Sequence, residues 1–248
     1  MKHWVVPIAP VPPESAAEID LALVAAAELP EGEDWLSDGE RQTLGALRLP
    51  ARRADWRLGR WTARQAYLAR SSRLRPGERL PEPAALAVVA APDGAPELFL
   101  DGSPGELTLT LSHRNGWGLA AVGAGRLALG CDLEWIEPRS DAFVRDYLTP
   151  GEQDALARWP VADQALGANL AWSGKECALK ALRAGLRLDT RAVEVDLDRA
   201  RAATAALDGW RPLSLATAGL DPLSGGWRTD GELLLSWIAA RPRIASAD

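Results

Sequence analysis

Glu176 and Lys180 stand four residues apart within Leu170–Leu182, a run whose apolar residues recur at helical spacing. An acid and a base therefore share one helix face, with Lys175 on the adjoining side and Gly185 supplying the stop. Taken alone, this is a surface ion pair worth about 0.2–0.5 kcal/mol. Two further segments change that reading. Asp132 and Glu134 lie two apart in the strand-like run Leu127–Ile136, so both carboxylates leave one sheet face while Cys131 and Leu133 leave the other. Neighbouring acids on an apolar strand repel unless a cation or a donor sits between them. Hard oxygen ligands at this spacing suit Mg²⁺ better than zinc, and a solvated sheet edge is the alternative.

The second segment is basic. Arg53, Arg57, Arg60 and Arg64 recur at i, i+4, i+7 and i+11 beside an apolar face of Ala54, Leu58, Trp61 and Leu68. A row of guanidinium groups suits polyanionic phosphate; a solvated helix flank is the alternative. Ser112 and His113 end the alternating strand Leu107–Leu111, just before the Asn115-Gly116 turn. Such a histidine either binds a ligand or caps the hairpin. No Gly-x-Ser-x-Gly elbow accompanies the pair, so a hydrolase of that type is excluded.

The elements that position these residues follow from local signals. Residues 3–8 read as a strand followed by a proline-rich turn, and Ile19–Leu29 as a short helix. Ser37 with Glu40 has capping-box spacing, so a helix begins there and runs to about Leu49. Pro50 opens the next helix, which continues to about Arg70. Trp117–Val122, Val193–Leu197, Trp210–Ala216 and Leu233–Ala240 are strand signals, with Gly225-Gly226 turning between the last two. The tail from Arg241 is expected to be disordered.

Thr149 with Glu152 repeats the capping box. About twenty residues after each box comes a glycine–cation pair, Gly59-Arg60 and then Gly174-Lys175. The fold class this implies is α+β. Two pseudo-symmetric α+β halves, residues 1–126 and 127–248, would pack face to face with a ligand cleft between them.

Composition bounds the class. The 248 residues, 47% hydrophobic and 25% charged, can bury a sizeable core. A net charge of −6 argues against a general nucleic-acid binder. The N-terminus lacks a signal-peptide pattern, and no apolar run is long enough to span a membrane. Two cysteines in apolar runs make no disulfide framework and fit a reducing cytoplasm. Eleven tryptophans beside two Phe and two Tyr are read as core fillers.

With these pieces placed, the chain resembles the 4′-phosphopantetheinyl transferases of the surfactin-synthetase-activating type. The resemblance rests on Gly130-Cys131-Asp132-Leu133-Glu134 (G-x-D-x-E) and on Trp172-Ser173-Gly174-Lys175-Glu176-Cys177-Ala178-Leu179-Lys180 (W-x-x-K-E-x-x-x-K). Ser112-His113 and Gly59-Arg60 fall in the matching order. It implies two pseudo-symmetric halves with coenzyme A between them, and transfer of the phosphopantetheine arm to a serine of an acyl or peptidyl carrier protein. By position, Asp132, Glu134 and Glu176 would bind Mg²⁺, with Glu176 also the candidate base. Lys175, Lys180, Ser112 and His113 would contact the phosphates. Arg41 and Arg60, helped by Arg53 or Arg57, would face the 3′-phosphate. Where the family carries Gly-Lys-Pro or Gly-Arg-Pro, this chain has Gly94-Ala95-Pro96, so one cation is missing. An inactive carrier-binding module and a Mg²⁺-dependent nucleotide phosphohydrolase are the competing functions. With both halves in one chain, a monomer is expected.

Overall fold

Alternating apolar side chains make several of the strands, and a capping box starts one helix in each part of the chain. The computed structural model describes residues 1–7, 18–125, 127–205, 209–217 and 221–240. The first half runs β1 (Lys2–Pro7), β2 (Glu18–Ala25), α1 (Asp38–Ala46), α2 (Pro50–Leu74), β3 (Leu86–Ala90), β4 (Pro96–Leu100), β5 (Ser103–Arg114) and β6 (Trp117–Ala124). The second runs β7 (Ala128–Trp135), α3 (Asp141–Tyr147), α4 (Pro150–Ala157), α5 (Gln164–Ala181), β8 (Val193–Val195), α6 (Leu197–Ala202), β9 (Arg211–Thr217), β10 (Leu223–Asp230) and β11 (Leu233–Ala240). The proline-rich turn expected after β1 and the tail from Arg241 lie outside the described residues.

The fold is mixed α+β with two antiparallel sheets, ordered β1-β2-β6-β5-β4-β3 and β7-β11-β10-β9-β8. With β1 set aside, the two orders are the same: β2 corresponds to β7, β6 to β11, β5 to β10, β4 to β9 and β3 to β8. The sheets pack on each other through Ile19, Leu21 and Leu23 of β2, Leu119 of β6, Cys131 and Leu133 of β7, and Leu233 and Leu235 of β11. Each of these larger side chains contributes about 1.5–3 kcal/mol by leaving water. The outer face of the first sheet is covered by α2 through Ala63 and Ala66. That of the second is covered by α5 through Ala171, Cys177 and Ala178. The result is four layers, helix–sheet–sheet–helix.

Two expectations are corrected. Ile19–Leu29 is not a helix: β2 occupies most of it and Ala26–Glu28 forms a single 3₁₀ turn. β2 lies between β1 and β6 in its sheet and is covered on both faces, so its residues are apolar without alternating. Gly225-Gly226 is not a turn but lies inside β10. A Cβ on Gly225 would come within 1.8 Å of the Trp237 carbonyl oxygen, so these glycines serve close packing. The chain reverses instead at Gly231, which has φ +61°. No helix among the described residues is long and apolar enough to cross a membrane.

The two capping boxes have a second role. Glu40 reaches back to the Ser37 N–H, ion-pairs with the fully buried Arg64 of α2, and accepts the Val88 N–H of β3 at 3.0 Å. Glu152 does the same with the Thr149 N–H, Lys175 of α5 at 2.8 Å, and the Val195 N–H of β8 at 2.7 Å. Each glutamate thus ties a helix start, the neighbouring long helix and a sheet edge into one buried node. The geometry corrects the expected pairing of the halves: Arg64, not Arg60, is the counterpart of Lys175. Trp61-Thr62-Ala63-Arg64-Gln65-Ala66-Tyr67-Leu68-Ala69 then lies over Trp172-Ser173-Gly174-Lys175-Glu176-Cys177-Ala178-Leu179-Lys180.

Candidate active site

A cleft of about 1450 Å³ opens between the halves. One wall is β7 and α5, presenting Asp132, Glu134, Trp172, Glu176 and Lys180; the lining also includes Gly59 and Arg60 of α2 and His113 of β5, with Ser112 of β5 bonded directly to Asp132. Gly130 makes the first wall possible. A Cβ there would meet the Cys177 carbonyl oxygen at 1.8 Å, so only glycine lets β7 lie directly on α5. The two-residue strand period then carries Asp132 and Glu134 to the cleft, while Cys131 and Leu133 enter the core.

Asp132 accepts three side-chain hydrogen bonds. Its Oδ1 accepts from the Ser112 hydroxyl at 2.8 Å and from Lys180 Nζ at 2.8 Å, and its Oδ2 accepts from the Ser173 hydroxyl at 2.9 Å. Lys180 Nζ also donates to the Cys131 carbonyl at 2.9 Å. Burial works against the Lys180 charge, but Asp132 more than restores it and holds the ammonium group above its ordinary pKa. Glu134 accepts from the Trp172 indole N–H at 2.9 Å and from Arg139 at 2.9 Å, with Arg114 at 3.6 Å. Burial, then repulsion from Asp132, raises its pKa despite those arginines. Glu176 makes no hydrogen bond among the described residues. Burial raises its pKa, opposed by Lys180 and reinforced by Asp132 and Glu134.

The three acids share one wall, yet no three His, Cys, Asp or Glu side chains among the described residues gather closely enough to hold a metal ion as they stand. The donor set still has the chemistry of a hard-cation site: Asp132 raises the pKa of Glu134, both raise that of Glu176, and Glu176 carries no hydrogen bond among the described residues. A divalent ion there would share Asp132 with Lys180.

The rest of the lining sorts the expected phosphate ligands. Arg60 lies over the Trp56 ring at 4.1 Å, and its Nε is buried with no hydrogen-bond partner among the described residues. Burial lowers its pKa to about 10. His113 Nδ1 lies 3.9 Å from the Asp55 carboxylate, and both side chains are about half exposed in the cleft. Arg41, Arg53 and Lys175 lie outside the cleft lining. Arg41 donates to the Leu36 carbonyl and to Asp38, and Arg53 to the Leu44 carbonyl and to Leu47 O at 3.3 Å. Lys175 is fully buried, donating to the Val193 carbonyl and to Thr190 O at 3.1 Å beside Glu152. Arg57 bonds Gly32 O at 2.7 Å. Within the guanidinium row, Arg53 therefore holds the C-terminal end of α1 and Arg57 the loop before it, leaving Arg60 and the buried Arg64.

Several cleft residues escape the sequence reading. Arg52, Asp55 and Trp56 join Gly59 and Arg60 on the cleft face of α2, at i, i+3, i+4, i+7 and i+8, a spacing that could have found them. Arg183, just after α5, reaches the turn before β4, bonding Asp93 at 2.7 and 2.9 Å and Glu97 at 3.1 Å. Asp93 is held down to about pKa 2 by that guanidinium.

Comparison with known proteins adds an outside reference. No curated protein matches the chain. Among solved structures, an apo-ACPS described as from Chronobacterium ammoiniagenes is 19% identical, with a TM-score of 0.37 over 50% of this chain and 100% of its own. The holo-(acyl-carrier-protein) synthase of Thermotoga maritima is 16% identical, with a TM-score of 0.35 over 53% of this chain and 74% of its own. Residues 128–227, the stretch from β7 into β10 that carries Asp132, Glu134, Glu176 and Lys180, match the family model of the 4′-phosphopantetheinyl transferase superfamily.

Proposed function

We propose that the protein transfers 4′-phosphopantetheine from coenzyme A to a serine of an acyl or peptidyl carrier protein, releasing adenosine 3′,5′-bisphosphate. The observation that carries this reading is one cleft lined by Asp132, Glu134, Glu176 and Lys180 together with Arg60 and His113, with the acids inside the stretch that matches the superfamily. Arg60, which pairs with no carboxylate among the described residues, and His113 bind phosphates of the coenzyme. Asp132, Glu134 and Glu176 would hold Mg²⁺, which when bound neutralises charge on the pyrophosphate.

Glu176 takes the proton of the incoming serine, directly or through a water. The serine Oγ bonds to the β-phosphorus as the bond to the bridging oxygen breaks. That oxygen leaves with the bisphosphate, and Lys180 stabilises its growing charge. Both walls come from one chain, so a monomer suffices, and the two buried free cysteines suit a reducing cytoplasm.

The test is mass gain on apo carrier proteins incubated with coenzyme A and Mg²⁺. The unmodified protein is expected to add the phosphopantetheine mass, while Asp132→Ala and Lys180→Ala lose about a hundredfold or more in rate. Labelling by either variant at the original rate would overturn the assignment. A carrier bound without mass gain would indicate a binding module instead.

A further inference from the structure

Behind the Asp132 carboxylate lies a buried chain of hydroxyls that the proposed reaction does not use. Ser173 of α5 donates to Asp132 Oδ2 at 2.9 Å and shares a hydrogen bond with Ser236 of β11; both serines are completely buried. Ser236 Oγ in turn lies 3.4 Å from Cys177 Sγ. The geometry points to Ser173, braced by Ser236, as a positioning residue that fixes the Asp132 carboxylate for the metal.

A strand carboxylate can turn about its terminal torsion, which is broad rather than three-fold. Ser112 and Lys180 reach only Oδ1, on the cleft side. Among the described residues Ser173 alone holds Oδ2, from the interior, so the pair of contacts sets the plane of the carboxylate and leaves Oδ1 facing the cleft. Ser236 fixes the Ser173 hydroxyl: its own oxygen lies in the neighbouring strand, in register with Asp132 across the β7–β11 ladder. In the first half, Thr62 stands where Ser173 stands but donates to the Leu58 carbonyl at 2.8 Å, within its own helix. The outward bond therefore belongs to the half that carries the acids, and helical position alone does not produce it.

The inference rests on Asp132 serving as a metal ligand, and the experiment separates the two. Mn²⁺ binding would be measured by electron paramagnetic resonance on the full chain, with coenzyme A affinity without metal and thermal midpoint recorded alongside. Groups that orient a ligand typically control metal affinity by ten- to a hundredfold. Ser173→Ala is expected to weaken Mn²⁺ about tenfold, with metal-free coenzyme A affinity changed less than about twofold, and Ser173→Thr to recover most of the loss. Ser236→Ala, which leaves Ser173 in place but loosened, is expected to weaken Mn²⁺ about threefold and serves if Ser173→Ala does not fold. Unaltered Mn²⁺ affinity in the folded Ser173 variant, or in Ser236→Ala if that one alone folds, overturns the role of Ser173 while leaving the metal reading intact. Absence of Mn²⁺ binding by the unmodified protein overturns both.

Discussion

Among the described residues the Arg60 guanidinium bonds no carbonyl or carboxylate, unlike those of Arg53, Arg57 and Arg64, and it sits in the cleft over an indole. A charge-assisted bond to phosphate is worth about 1.5–3 kcal/mol. Arg60→Ala should therefore weaken coenzyme A binding by about tenfold or more in calorimetry, with little change in unfolding temperature. Arg53→Ala, which releases two carbonyls at the C-terminal end of α1, should show the reverse. Equal losses of affinity in the two variants would refute the distinction. The acids were legible in the sequence because a two-residue or four-residue spacing fixes a shared face whatever surrounds it. The arginines were not, because helical spacing gives a row of side chains without saying which row meets the cleft. The cleft side belongs to Arg52, Asp55, Trp56, Gly59 and Arg60.

The buried nodes at Glu40 and Glu152 explain at the level of elements why Lys175 sits in a motif yet outside the cleft. Burial lowers the Lys175 pKa, and Glu152 is the partner that keeps it paired. Lys175→Ala leaves Glu152 without its counter-ion in a dry site, and removing one member of a buried pair costs about 3–5 kcal/mol. The expected result is a large fall in the denaturant midpoint, with coenzyme A affinity retained by the fraction that remains folded. A stable variant that fails to bind coenzyme A would return Lys175 to the phosphate site. Both capping boxes and the strands bearing Asp132 and Ser112 could be read from local pattern, since capping and alternation are near-neighbour effects. β2 could not: it is buried on both faces only because β1, β6 and the second sheet surround it, and nothing within Glu18–Ala25 records those neighbours.

The two halves meet through more than their apolar seam. Trp4 lies edge-on to Trp210 at 6.0 Å, Trp210 to Trp237 at 6.3 Å, and Arg228 lies over Trp4 at 4.9 Å. Several of the eleven tryptophans thus join β1 to the second sheet. At the cleft, the Arg183 contact with Asp93 and Glu97 is the corresponding polar tie. Such exposed pairs contribute little, so Arg183→Ala should hardly change global stability. It should speed amide exchange in the turn before β4, measured by mass spectrometry, because that turn loses its anchor on the other half. Unchanged exchange there would show that the turn holds itself.

The overlay of Trp61–Ala69 on Trp172–Lys180 puts Gln65 at the place of Glu176 and Ala69 at the place of Lys180. The same frame is present twice, but the acid and lysine proposed for the reaction occur in one copy only. On that reading the other copy, Ser112 and Arg114 apart because they touch Asp132 and Glu134, can exchange cleft-facing residues to suit a new guest without touching the reacting groups. A division of labour of this kind lets selectivity drift in one half while turnover is conserved in the other.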